Sequence, residues 1–190
     1  MKPNLFRLLF WCVALALTSA CGPRVTSNET TTATEATPAA FQAQLQPVWE
    51  RYGAVKDALV ASDAARVREQ ASQLVQILQR VDSISLRPED RRGWGEKRAE
   101  LMISAENVGA AKTLEGQRQA FEKLSMGVYA LVRRFGPGHT TLYKQYCPMA
   151  FDNQGAFWLS TSEEIKNPYF GDEMLECGEV QETLRADAKE

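Results

Sequence analysis

The sequence predicts an all-α fold: an antiparallel up-down four-helix bundle over residues 41–138, with an aromatic-rich, mostly irregular C-terminal segment packed on it. Three observations carry that prediction. Apolar residues between Phe41 and Phe135 recur at alternating steps of three and four, the period of one helix face. The breaks between those runs are short and carry helix start and stop signals. After Gly138 the periodicity gives way to a dense set of aromatic rings.

In chain order, residues 1–20 come first and read as an export signal. Lys2 and Arg7 flank the start of an apolar run, Leu8 to Leu17, that is too short to span a bilayer. Small residues Thr18, Ser19 and Ala20 then precede Cys21 in "LTSACG", which resembles the lipobox of bacterial lipoproteins, with Thr18 where leucine is more usual. The resemblance implies cleavage before Cys21 and acylation of that cysteine, which would hold the protein on the periplasmic face of a bacterial membrane. More than one acyl chain would make the anchor stable. Gly22 follows where an aspartate would signal inner-membrane retention in enteric bacteria, which favours the outer membrane. The stretch from Cys21 to residue 40 is rich in Thr, Ala, Ser and Pro and buries too little to offset the entropy of ordering, so it reads as a flexible tether.

The first helix is marked by Leu45, Val48, Tyr52, Val55 and Leu59. Asp63 suits an N-cap for the second, whose face is Val67, Ala71, Leu74, Leu78 and Val81. Pro88 suits the first turn of the third, with Glu89 and Asp90 favoured there by the helix dipole. Its inner face is Trp94, Leu101, Ala105 and Val108, with Arg98 intruding. Phe121, Leu124, Val128, Leu131 and Phe135 mark the fourth, with Arg133 and Arg134 in the last turn and "GPG" at 136–138 as the stop. Such stripes are core positions, and none is a cofactor box. Residues 139–190 are expected to belong to the same domain.

Composition narrows the function classes. The chain has 22 basic and 24 acidic side chains; removal of residues 1–20 takes away Lys2 and Arg7 and leaves a net charge of about −4. That balance gives no basic footprint for nucleic acid. Catalysis is not expected either: a hydrolytic triad needs a histidine base, and the one histidine, His139, has no evident partner. No Cys-x-x-Cys, nucleotide-binding Gly-rich loop or HExxH pattern occurs.

The C-terminal segment carries the chemistry. Its rings, among them Tyr143, Tyr146, Phe151, Phe157, Trp158 and Tyr169, should fold back on the helices rather than form an exposed apolar patch. Within it "GAFWLS" reads as a short strand. Ser160 and Glu163 match a capping box for a turn of helix ending at Asn167-Pro168, and Asp172 suits a cap for a turn over "EMLEC". Of four cysteines, Cys12 lies in the signal and Cys21 at the anchor, which leaves Cys147 and Cys177, each with a methionine close by. Two readings stand open. Cys147, Met149, Met174 and Cys177 form a set of soft thiolate and thioether donors that favours Cu(I) over hard ions, and over zinc with its taste for imidazole and carboxylate. Alternatively a Cys147–Cys177 disulfide, permitted in an exported protein, closes a loop of roughly 31 residues and stabilises by roughly 3–4 kcal/mol. His139, on a Gly-rich loop, is a further candidate ligand whose default reading is a solvated side chain.

Cys147-Pro148-Met149, Asn167-Pro168-Tyr169, Gly171-Asp172, Met174 and Cys177-Gly178, with the helix "RQAFEKLSMGVYALVRRFG" before them, resemble a family of small periplasmic helical domains of unknown function. Its members occur alone or fused to the periplasmic adaptor subunits of heavy-metal efflux systems. The likeness extends over most of residues 45–180. It implies a role in binding heavy metal, copper(I) above all, with Cys147, Met149, Met174 and Cys177 as the matching ligands and an efflux adaptor as partner, and so favours metal over disulfide.

Overall fold

In the computed structural model, residues 37–185 are described; the segment read as an export signal, Cys21 and most of the expected tether lie outside them. Four helices follow in order: α1 Ala39–Val60, α2 Ala64–Arg80, α3 Pro88–Ala110 and α4 Leu114–Phe135. Their starts and stops are those that local chemistry dictates. The Asp63 side chain accepts from the amides of Ala65 and Arg66 at 3.1 and 2.9 Å and caps α2. Pro88 opens α3 with Glu89 and Asp90 in its first turn. Thr113 caps α4 through Gly116 N–H at 3.1 Å. Gly136, at φ 82°, ends that helix and returns its N–H to the Val132 carbonyl at 2.8 Å. α1 runs through the exposed Pro47, because the buried residues on either side, Leu45 and Val48, hold the helix on the core.

Each apolar residue of the four predicted stripes is buried, in one core that also takes in Phe41, Trp49 and Leu86. α1 packs on α2, α2 on α3, and α3 on α4. Trp94 of α3 stands edge-on to Phe41 of α1 at 5.2 Å, and Tyr52 of α1 stacks on Phe121 of α4 at 5.2 Å. Burying a ring or leucine of this kind is worth about 1.5–3 kcal/mol, so the helical layer is secured by its stripes.

The all-α expectation needs correction after Gly138. Three strands form an antiparallel sheet in the order β2-β1-β3: β1 Leu142–Cys147, β2 Ala156–Ser160 and β3 Glu179–Leu184. Only β2 lies where a strand was expected. β1 loses its alternation at Gln145 and β3 sets Glu182 between Val180 and Leu184, so neither shows an apolar period; their pairing slips between Lys144 and Gln145, where Gln145 pairs with Val180 after Lys144 pairs with Glu182. The sheet closes the core: Leu142, Cys147, Trp158, Leu159 and Leu184 are buried in the same cluster as the helix stripes. Tyr52 ties the layers together, its hydroxyl bonding Ser125 of α4 at 2.7 Å and accepting the Leu159 amide at 3.1 Å. Burial raises its pKa above the ordinary tyrosine range, so it stays a neutral hydroxyl.

Two expected helical turns do not form. Ser160 Oγ accepts from Ser162 N–H and Ser162 Oγ from Glu164 N–H, both at 3.1 Å, so the serines bond locally instead of capping a helix. The carbonyls of Ser162, Glu163 and Glu164 turn inward to the fully buried Gln145, whose Nε2 donates to them at 2.9–3.1 Å while its Oε1 accepts Trp158 Nε1–H at 2.7 Å. A buried amide must find partners, and these carbonyls serve only in an irregular chain. Asp172 caps nothing: it lies inside a single 3-10 turn, Gly171–Glu173, which ends at Met174.

Candidate metal centre

Cys147 is the last residue of β1, paired with Ala156 and wholly buried. β3 runs antiparallel to β1, with Glu179 opposite Tyr146, so the chain entering β3 brings Cys177 alongside Cys147. The two thiols are unbonded, with Sγ atoms 2.7 Å apart. Their hydrogen bond and partial burial favour the neutral thiol and push the Cys177 pKa from its ordinary 9.0 up to about 11, while the Met149 amide, directed at the Cys177 sulfur, works the other way.

The loop carrying Cys177 is held from inside by Asn167, which is fully buried. Its Nδ2 donates to the Cys177 carbonyl at 2.8 Å, its Oδ1 accepts the Tyr169 amide at 2.8 Å, and its own N–H reaches the Leu175 carbonyl at 2.8 Å. The Pro168 carbonyl accepts Arg118 Nε–H from α4 at 3.2 Å, and Arg118 also donates to Ser62 Oγ at 3.2 Å. Tyr169 packs against Phe121, Phe151 and Trp158, and its hydroxyl donates to the Phe157 carbonyl at 2.6 Å. This clamp fixes where Cys177 stands relative to the sheet.

Met149 and Met174 behave differently from the cysteines. Both line one cleft of about 650 Å³, together with Phe151, Tyr169 and the carboxylates Glu115, Glu122 and Asp152. Met174 does not share a helical face with Cys177; its carbonyl accepts the Cys177 N–H in a turn, at 3.1 Å. The β1–β2 connection passes the cleft in an unusual backbone: Phe151, Asp152 and Asn153 all have positive φ, at 53°, 56° and 64°. Gly155 completes the reversal, where any Cβ would fall onto the Tyr146 hydroxyl. His139 is not brought to the thiols. It is exposed and precedes β1, whereas Cys147 ends that strand, about 16 Å from its start at about 3.3 Å per residue.

The thiol pair and the methionine cleft thus adjoin through the Met149 and Met174 main chain. Among the described residues, no group of three or more His, Cys, Asp and Glu side chains is gathered as a metal ion would need; the sulfur here is the thiol pair, with two methionines lining the adjoining cleft. Residues 48–140 match the family model described as "Protein of unknown function (DUF3347)". The DUF3347 match takes in the helices from Val48 of α1 to the end of α4 and stops at Thr140, before β1, so all four sulfur residues lie beyond it. No curated protein and no solved structure matches the chain. No helix among the described residues is long and apolar enough to cross a membrane.

Of the residues that build the site, Gln145, Arg118 and Asn167 escaped the sequence reading as positioning groups. Asn167 had a signal, as an amide flanked by Pro168 in a segment of dense aromatics. Gln145 had none, since a glutamine between lysine and tyrosine reads as solvent-facing.

Proposed function

We propose that this chain is a lipid-anchored periplasmic protein that binds a soft monovalent metal ion, Cu(I), between Cys147 and Cys177, and carries or scavenges it in company with a heavy-metal efflux adaptor. The observation that carries the reading is the meeting of two thiols from sequence-distant segments, 2.7 Å apart, beside a cleft lined by two thioethers. Thiolate and thioether sulfur select Cu(I) over magnesium or calcium, and the set lacks the imidazole or carboxylate complement zinc prefers. The ion is cargo. Loading requires each thiol to surrender its proton, and an ion held by both sulfurs needs them farther apart than at present, because metal–sulfur bonds run to about 2.3 Å each. Anchorage through Cys21 at the outer membrane, the efflux association and an up-down antiparallel arrangement of α1–α4 belong to this same reading. The last rests on short connections, which favour antiparallel neighbours. No catalytic role is proposed.

Anaerobic titration of the reduced full-length protein with Cu(I) tests the reading: about one ion per chain is expected, lost in the Cys147→Ser/Cys177→Ser variant. Equal affinity in that variant would refute it. The short sulfur separation also supports a second reading, a structural Cys147–Cys177 staple, since a disulfide requires the sulfurs only about 0.7 Å closer. Mass spectrometry of protein isolated without reductant separates the two: a complete bridge that withstands glutathione favours the staple.

A further inference from the structure

We infer that the cleft lined by Met149 and Met174 is the capture face of the molecule, where a soft monovalent cation is first held by thioether sulfur and then passed to Cys177. The inference rests on the metal reading above and adds the route by which the ion enters.

Cys147 has no exposed surface, so an incoming ion cannot meet it first. Cys177 is half-buried and is bonded through the main chain to both methionines: its N–H donates to the Met174 carbonyl at 3.1 Å, and its sulfur takes the Met149 amide. Met149 is one of the few large apolar side chains left exposed, at 47 %, and it is exposed into a cavity that a second methionine shares. A gap-filling methionine would be expected under cover. The cleft's volume of about 650 Å³ admits an ion still carrying water or a donor's ligand. Glu115, Glu122 and Asp152 are the charged groups of its lining, with Lys123 pairing Glu122 from outside at 3.6 Å. A cleft lined by one sign of charge concentrates ions of the other and raises association rates by about 10–10³.

The transfer balances without a redox partner. A thioether–Cu(I) bond breaks as the Cys177 sulfur–Cu(I) bond forms, the Cys177 proton leaves to water, and the copper stays monovalent. Cys147 then joins with loss of its own proton.

The test is stopped-flow transfer of Cu(I) from its bicinchoninate complex to the reduced full-length protein, with the final occupancy read on the same samples. Met149→Leu/Met174→Leu, which keeps volume, is expected to slow transfer about tenfold and leave the occupancy within about threefold of the parent. Glu115→Gln/Glu122→Gln/Asp152→Asn, at surface positions, is expected to slow it similarly and to flatten its salt dependence. Unchanged rates in both variants would overturn the inference while leaving the cysteine reading intact. So would a methionine variant whose occupancy falls as far as that of the cysteine variant, since the thioethers would then be final ligands. No uptake by the parent protein would overturn both.

Discussion

Asn167 shows how much rests on one side chain. Its amide reaches ten residues along the loop to the Cys177 carbonyl while it also accepts the Tyr169 amide, and it does so with no exposed surface. Truncation leaves a buried N–H unpaired, at about 1–3 kcal/mol, and a partly buried carbonyl at less. Asn167→Ala is therefore expected to lower unfolding stability by about 2–4 kcal/mol with an unchanged urea m-value, read by the denaturation midpoint, and to weaken Cu(I) retention by freeing Cys177. Gly155 is a steric counterpart: Gly155→Ala places a methyl against Tyr146 at φ 79° and is expected to cost about 2–3 kcal/mol in the same measurement. A loss under 0.5 kcal/mol would mean that the β1–β2 connection relaxes freely. The Cys177 thiol gives a pH signature. Its folded pKa, about 11, is raised above the ordinary 9.0, so the reduced protein holds this contribution fully below pH 9 and loses it as pH rises towards 11. The urea midpoint of reduced protein should fall more steeply between pH 9 and 11 than that of Cys177→Ser. Parallel curves would contradict the assignment.

Among the elements, α1 and the sheet make opposite use of irregularity. Pro47 interrupts the hydrogen-bond ladder of α1 on its exposed side, and an interior proline costs about 3 kcal/mol relative to alanine. Pro47→Ala should accordingly raise the thermal midpoint by several degrees, corresponding to about 1–3 kcal/mol. The slip in the β1–β3 pairing, by contrast, positions the site. It skips Gln181 of β3, and the pairing beyond it sets Glu179 opposite Tyr146, which places the entry to β3 beside Cys147, while Gln145 gathers three carbonyls. The four helix stripes were legible because each repeats one period over four or five apolar residues. β1 and β3 were not: β1 is buried at Leu142, Gln145 and Cys147, which breaks the alternation, and β3 alternates in burial but sets the charged Glu182 between Val180 and Leu184 on its covered face.

In the molecule as a whole, helices and sheet share one core, with Tyr52, Ser125 and Leu159 joined across the layers. The DUF3347 match ends before the sheet, yet a fragment ending at Thr140 would uncover Tyr52, Phe121 and their neighbours. Such a fragment is expected to keep its helical far-ultraviolet signal while losing sharp side-chain packing and binding a hydrophobic dye. A fragment with the cooperative transition of the longer chain would show instead that the helices stand alone.

Sequence by itself determined the four helices, the Asp63 cap of α2, the Pro88 start of α3 and the four sulfur residues as candidates, because periodicity, capping and donor softness are properties of local composition. By spacing it favoured the disulfide, and the resemblance alone tilted the reading to metal. Only the tertiary structure decided that Cys147 and Cys177 meet while Met149 and Met174 face a separate cleft, and that His139 stays away. Those outcomes follow from the β1–β3 register, which joins residues thirty or more positions apart, and from buried amides that seek partners ten to nineteen positions away.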